Sequence, residues 1–408
     1  MNKHVVIFET DAFGHQEQYI RALTENFKKK YRLRITFVIH PVLIKRLYRD
    51  VDKKGFIGSE LVDVISLDNN ELAKLNVGPL WKRALYKWNL AKKYSEIIGA
   101  THLHFLYLDH MQLPLALHQK FGENITISGI LFRPTIHYTD DIRVHPSLAE
   151  HVRDFRKKWM YRAMLSNSNL KHVFSLDKYF VEYVKNEWKN EKKKISYLPD
   201  PLPITRSIDD KNLVTEFWIP SGRKIFLLFG ALQRRKGIFK VLEALAKLPP
   251  LSQKKIALIY AGKVDQKVEA ELKIAVQNFK NSSPQIWFRL ENRFLDQKEL
   301  QGLIQKSDVI LAPYQRFVGS SGILIWAAIY AKPVITQDYG LIGRLVREYG
   351  LGRCIDTTNI NLLAEVIEQA VSDQARIPLN IKGAQSFIMG RDPSLFQETI
   401  LKKLEQIS

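Results

Sequence analysis

Cysteine is almost missing from this chain. A single residue, Cys354, among 408 excludes an intrachain disulfide and any cysteine-built metal cluster, and it fits a reducing compartment. No apolar run approaches the roughly 20 residues that a bilayer-spanning helix needs. The N-terminal stretch MNKHVVIFETDAFGH turns polar too early to be the apolar segment of a signal peptide. These absences lead us to expect a cytoplasmic protein whose membrane contact, if any, is peripheral at the inner face. Neither half offers Gly-x-Gly-x-x-Gly after its first strand, which argues against hydride transfer. Acid is scarce as well: 42 Asp and Glu stand against 62 Lys and Arg, a formal charge of +20. Such an excess calls for an anionic partner, whether nucleic acid, membrane surface or phosphorylated substrate.

What is present is a strict alternation. Apolar strand-like runs fall at 4–9, 33–39, 62–67, 102–108, 125–132, 172–176 and 195–199, and again at 224–229, 255–261, 286–290, 308–313 and 333–337, with helix-period segments between most of them. Strands separated by helices predict parallel sheets. A chain of 408 residues exceeds the usual size of one core, and the pattern restarts after LPDPLPITRSIDDKN (198–212), whose three prolines mark a connector. We therefore expect an α/β chain of two domains, 1–203 and 204–389. The tail after Pro393 reads as an amphipathic helix, and 390–408 is expected to pack back on the first domain.

Two turns in the second half attract attention. In IFLLFGALQRRKGIFKVLEAL (225–245) a buried strand passes through Gly230, Arg234, Arg235, Lys236 and Gly237 into a helix. In open parallel sheets, ligands bind beyond the carboxyl ends of strands, where helix amides face anions. In APYQRFVGSSGILIWAAIYAKPVITQDYG (312–340), Gly319, Ser320, Ser321 and Gly322 precede an apolar helix from about Ile323. Small residues let a phosphate approach the backbone, and serine hydroxyls add donors. Taken singly, the first is also an ordinary basic loop and the second a serine-capped helix. Together they suit a diphosphate clamp.

The order of these motifs, with IWFRLENRFLDQKELQGLIQKSDVILAPY (286–314) between them, resembles the donor-binding half of retaining GT-B glycosyltransferases of the family-4 type; earlier in the chain only FETDAFGHQEQYIRAL and YLPDPLP fit visibly. The resemblance implies two Rossmann-like domains facing each other across a cleft. It implies that Lys236 binds the donor diphosphate, that the backbone at Phe294 and Leu295 reads the base, and that Tyr314, Ser320, Ser321, Gly322 and Ile323 line the pyrophosphate and sugar. Gly14 matches the loop glycine of the other domain. Ala231 stands where the family has arginine, leaving Arg234 or Arg235 to supply a second cation. Val318 and Trp326 stand where it has two glutamates, so that Glu291 or Asp338 would have to reach the ribose unless backbone groups hold the donor.

Departure of a nucleoside diphosphate builds negative charge on phosphate, which fixed cations and amides stabilise. No Asp-x-Asp element of the metal-binding kind stands at a strand end, and the pairs at 140–141 and 209–210 read as loops, so no metal or other cofactor is expected. The donor is expected to be UDP-glucose, with GDP-sugars as the alternative, and the acceptor a saccharide or lipid-linked saccharide of polysaccharide or glycolipid assembly. On the acceptor side His15, Arg133 and His137 lead a set that also holds His102, His104, Asp109, His110 and Asp140. Family-type enzymes are thought to need no dedicated general base.

Segment 78–98 mixes Lys82, Arg83, Lys87, Lys92 and Lys93 with Trp81, Tyr86, Trp88 and Tyr94, and 151–165 repeats the mixture. Such helices suit an anionic membrane surface or pack an apolar stripe inward and keep their cations in water. Nucleic-acid binding is the competing reading of the charge, but no nucleic-acid motif is present and no such partner is expected. A nucleotide-sugar epimerase on the same architecture is the other alternative.

Overall fold

The computed structural model describes residues 3–12, 14–24, 31–49, 62–121, 124–138, 148–203, 219–372 and 376–408. The chain divides into two units, Met1–Ile204 with Arg391–Ser408, and Thr205–Gly390. The aspartate pairs at 140–141 and 209–210, and the connector from 204 onward to 212, lie outside the described residues.

The first unit holds β1 (Lys3–Glu9), β2 (Leu33–Ile39), β3 (Val62–Ser66), β4 (His102–Phe105), β5 (Thr126–Leu131), β6 (Leu170–Ser175) and β7 (Ile195–Tyr197). They form one sheet in the order β3-β2-β1-β4-β5-β6-β7, parallel throughout. Along β1, Val6 and Phe8 join one apolar cluster while Val5 and Ile7 join another. Successive side chains of a strand point to opposite faces, so both faces of this sheet are covered. The helix Pro393–Ile407 completes one of them, burying Phe396, Ile400, Leu401 and Leu404. Phe396 meets Tyr19 at 4.9 Å between ring centroids.

The second unit holds β8 (Lys224–Phe229), β9 (Ile256–Ala261), β10 (Trp287–Glu291), β11 (Val309–Ala312), β12 (Val334–Gln337) and β13 (Gly352–Ile355). Their order is β10-β9-β8-β11-β12-β13, again all parallel. The edge strand β13 carries the sequence GRCI, too short and too polar to be read as an apolar run. The run 102–108 is cut short because Leu108–Met111 turn into a 3-10 helix.

In the helix Leu80–Ile98 the inward-packed alternative for 78–98 holds for one face, while Trp81 stays 51% exposed on the outside. Ala84, Lys87, Trp88, Ala91 and Ser95 form its inward stripe, at the i, i+3, i+4 spacing of one helix face. Trp88 is in the core against Phe121, 4.2 Å between centroids. Lys93 pairs with Glu71 at 2.7 Å. Of the five cations and two tryptophans named in this segment, Lys87, Lys92, Lys93 and Trp88 are therefore already engaged by the first unit itself.

Candidate active site

In each sheet the strand order reverses once, between β1 and β4 in the first unit and between β8 and β11 in the second. The loops leaving those two strands diverge to opposite faces, which opens a crevice beyond the carboxyl ends.

In the second unit, β8 ends at Phe229 and Gly230 follows in a left-handed conformation, φ 87°. The turn Arg234–Lys236 brings the chain back, so that Lys236 Nζ donates to the Phe229 carbonyl at 2.6 Å. A Cβ on Gly230 would stand 2.7 Å from that ammonium. Gly237, φ 75°, lets the same turn press on β11's exit, where a Cβ would fall 2.2 Å from the Pro313 carbonyl. Gln315 N donates to Arg235 O at 2.7 Å and joins the two turns. The Arg235 guanidinium lies over Phe317 at 4.7 Å and Tyr314 at 5.8 Å, and Lys236 Nζ lies 5.5 Å from the Tyr314 ring. Tyr314 Oη and Ser321 Oγ share a hydrogen bond of 2.8 Å.

Arg235, Lys236, Tyr314 and Ser321 are thus gathered at the switch point. Arg234 is not: it pairs with Glu271 on the helix Gln266–Ser282 and stacks over Phe239, since consecutive residues of a tight turn project to different sides. Ser320 and Gly322 are half-buried in the loop before the short helix Ile323–Ile329, and Ile323 is buried at its start. Phe294 is 68% exposed on the loop after β10, with Leu295 half-buried beside it. β9 separates β10 from β8, so a base held there lies about 10 Å from the switch point at ordinary strand spacing. Gly262, which the strand pattern did not single out, keeps that path narrow: its φ is 145° and a Cβ would meet the Gly230 carbonyl at 2.2 Å.

The expected substitute carboxylates fare differently. Glu291 is held by Arg289 at 2.5 Å and Arg293 at 3.2 Å, which leaves it little capacity for a ribose. The Asp338 carbonyl accepts from Arg347 at 2.5 Å. Val318 packs against Gly340, its carbonyl accepting from Leu341 N at 3.0 Å, and Trp326 stacks on Tyr330. Lys236 is 7% exposed; burial first and the Arg235 guanidinium second push its ammonium down to about 7. Among the described residues no carboxylate pairs with it.

In the first unit, Gly14 has φ 120° in the loop between β1 and the helix Gln16–Thr24, and His15 packs beside Tyr19 and Phe132 at 6.0 and 6.3 Å. Asp109 accepts from the amides of Phe132 (2.8 Å) and Arg133 (2.9 Å), which ties the loop after β4 to the loop after β5 and leaves Arg133 exposed. Burial raises Asp109 to about 6 against the pull of those amides.

His137 is corrected from acceptor group to structural group. Its side chain is 3% exposed and its Nε2 lies 3.0 Å from Asp177 Oδ2, the carboxylate that caps the helix Lys178–Glu187. The ring holds a helix start through Nε2 and does not face solvent, its Nδ1 being buried without a hydrogen-bond partner. His102 and His104 also turn inward on β4, bonded to Thr126 and Ser128 at 2.6–2.7 Å. Asp140 lies outside the described residues.

A cluster of which the strand-end reading had named only His110 occupies this unit's switch point. Lys87, only 7% exposed at its side chain, reaches Asp11 Oδ1 at 3.2 Å and His110 Nδ1 at 2.9 Å. Since a lysine ammonium only donates, His110 Nδ1 accepts and its proton sits on Nε2. Burial and then Lys87 push His110 down to about 4, so the ring is neutral at pH 7. Glu9 is buried; its Oε1 accepts from Asp11 N at 2.8 Å, while its Oε2 has no partner. Burial, then the Asp11 charge, push it up to about 8. Lys87 was legible as a cation in the apolar stripe of its helix, and Glu9 as an acid closing an apolar strand. The cluster offers a carboxylate acceptor, an imidazole N–H donor and a protonated carboxyl, a set suited to orienting hydroxyl groups.

Residues 210–384 match the family model described as Glycosyl transferases group 1. No curated protein sequence matches the chain. Among solved structures, a sucrose-phosphate synthase from Thermosynechococcus elongatus is similar over 100% of both chains at 18% identity and TM-score 0.70. A glycosyltransferase from Rickettsia africae ESF-5 is similar over 100% of this chain and 98% of its own, at 15% identity and TM-score 0.65. A UDP-forming alpha,alpha-trehalose-phosphate synthase from Burkholderia xenovorans is similar over 100% and 99%, at 11% identity and TM-score 0.65. The second unit carries the signature of the group 1 glycosyl transferases, and the chain has the two-domain α/β fold of the GT-B glycosyltransferases.

Proposed function

We propose that the protein transfers a hexose with retention from a nucleoside-diphosphate sugar to a saccharide or lipid-linked saccharide, without a metal ion, as a cytoplasmic enzyme of polysaccharide assembly working at the inner face of the membrane. The observation that carries this reading is Lys236: a buried ammonium at the end of β8, with Arg235 beside it and a backbone carbonyl as its hydrogen-bond acceptor. A site that holds a cation at such cost stabilises an anion when one arrives. UDP is the favoured nucleotide, and the neighbour described as UDP-forming supports that choice.

In the reaction the bond from the sugar's anomeric carbon to the β-phosphate oxygen breaks, and the acceptor oxygen bonds the same carbon from the same face. The acceptor proton passes to the departing phosphate. Lys236, Arg235 and the hydroxyls and amides around Tyr314, Ser320 and Ser321 are assigned to the growing phosphate charge. Asp11, His110 and Arg133 are assigned to the acceptor. A thermal-shift panel of UDP, GDP, ADP and their sugars, run in excess EDTA, tests this: a ligand at a hundredfold its Kd stabilises the folded state by about 2.7 kcal/mol. Stabilisation by one nucleotide series with turnover surviving the chelator is expected. No shift with any of them sinks the donor site, and activity restored only by magnesium or manganese sinks the metal-free chemistry.

A further inference from the structure

The helix Leu148–Ser166 buries Tyr161, Met164 and Leu165 completely or nearly so. On its other side Val152, Phe155 and Trp159 stand 69%, 75% and 56% exposed. At about 100° per residue these three fall within about 60° of arc, roughly opposite the buried side. The edges of the stripe are basic. Arg156 borders it on one side, with Arg153 behind; Arg162 and Lys158 border it on the other. Arg156 and Lys158 are exposed, and Arg162 touches the Glu191 carboxylate at 3.5 Å while remaining 61% exposed. The acid beside the stripe, Asp154, is turned to the half-buried side. An apolar stripe with an aromatic centre and cationic edges is the pattern of a helix lying in a lipid headgroup layer, with arginine and lysine stems reaching back to the phosphates.

We infer that the outward face of the helix Leu148–Ser166, centred on Phe155 and Trp159 and edged by Arg156, Lys158 and Arg162, seats the first unit on an anionic membrane. This rests on the inner-membrane reading above and names its surface: of the two segments that composition singled out, 151–165 and not 78–98. A protein partner would have to match four cations around an apolar stripe; an anionic bilayer meets both demands with one material. Held there, the acceptor cluster of the same unit would work beside the lipid phase, where a lipid-linked saccharide is concentrated.

The experiment is flotation of the whole protein with vesicles of phosphatidylcholine containing 30 mol% phosphatidylglycerol, in about 0.1 M and about 0.5 M salt. At about 1 kcal/mol per cation near the surface, Arg156→Gln/Lys158→Gln/Arg162→Gln should weaken binding on the order of a hundredfold at low salt. Phe155→Ser/Trp159→Ser should weaken it at both salts, by about tenfold or more, because the apolar part is not screened. Leu251→Ser, which removes an exposed apolar side chain from the second unit, should change nothing. All these sites are exposed, and circular dichroism of each variant is the check that it folds. Wild-type binding that survives both multiple variants overturns the assigned face while leaving the membrane reading in place. Wild-type protein that floats with no vesicle overturns both. Loss in Leu251→Ser equal to that in the helix variants overturns the localisation.

Discussion

Replacing Lys236 by methionine keeps an aliphatic stem in the same space and removes the charge, so it separates the ammonium's effect on folding from its effect on ligand. Its ammonium is pushed from 10.5 down to about 7 by burial and by Arg235. A folded-state pKa below the unfolded value means that the unfolded chain binds the proton more tightly between those two values. The cost is therefore complete below about pH 7 and fades as pH rises toward 10.5. At about 1.4 kcal/mol per unit it amounts to roughly 4–5 kcal/mol, less about 1 kcal/mol for the bond to the Phe229 carbonyl that methionine cannot make. Without ligand, then, Lys236→Met should be more stable to urea at pH 6.5 by up to about 4 kcal/mol, with the gain vanishing near pH 10. Toward a nucleoside diphosphate the sign reverses. A lost charge-assisted contact worth about 1.5–3 kcal/mol weakens Kd by about 10- to 150-fold. Because the ligand's phosphates are already ionised above pH 7, the wild-type Kd should weaken by up to about tenfold per pH unit beyond that point. Calorimetry with UDP, then GDP and ADP, at pH 6.5 and 9 reads both effects. An unchanged Kd in Lys236→Met, or a wild-type Kd flat across that range, would refute the reasoning.

Asp11→Asn should leave UDP affinity unaltered while lowering kcat/KM for the acceptor by about 10- to 100-fold, as expected for a charged hydrogen bond to an acceptor hydroxyl; equal losses in donor binding would place Asp11 elsewhere. Lys87→Met should raise the His110 pKa from about 4 toward its ordinary value, which a histidine proton titration by NMR reads directly, and no movement would mean that Lys87 does not face the ring. His104 and His172 are both held down to about 3, and His102 lies well below its ordinary value, mainly by burial. Since the unfolded chain takes up those protons first, stability should fall as pH drops below 6.5, by up to about 1.4 kcal/mol per pH unit for each ring. Urea midpoints that stay level between pH 6.5 and 4.5 would count against this buried trio.

Much of the fold was legible because parallel α/β architecture writes itself locally. A strand buried on both faces must be apolar throughout, as in Ile225–Phe229, and a helix covering it must repeat every three or four residues, as in Ile238, Val241, Leu242 and Leu245. The cation-rich and serine-rich turns were legible for the same reason, each standing where one periodicity gives way to the other. β13 escaped because an edge strand of four residues can be paired on one side only and needs little apolar surface.

By itself the sequence determined the class of the fold, the two-part organisation, the positions of the cation-rich and serine-rich turns and the cationic balance. Side-chain direction was decided only by the tertiary structure. Lys236 and Arg234 are two residues apart and alike in type, yet one folds back beneath Gly230 while the other leaves for Glu271, because the hydrogen bonds of the turn set which way each points. Two basic aromatic helices of similar composition likewise part company. In Leu80–Ile98 the pairing of Lys87 with Asp11 and His110, and the core against Trp88, turn the mixed face inward. In Leu148–Ser166 the buried side is already filled by Tyr161, Met164 and Leu165, so the aromatic stripe is left facing out. Composition records which groups a helix carries, whereas the partners that neutralise or cover them come from distant parts of the chain and exist only once the sheet has assembled.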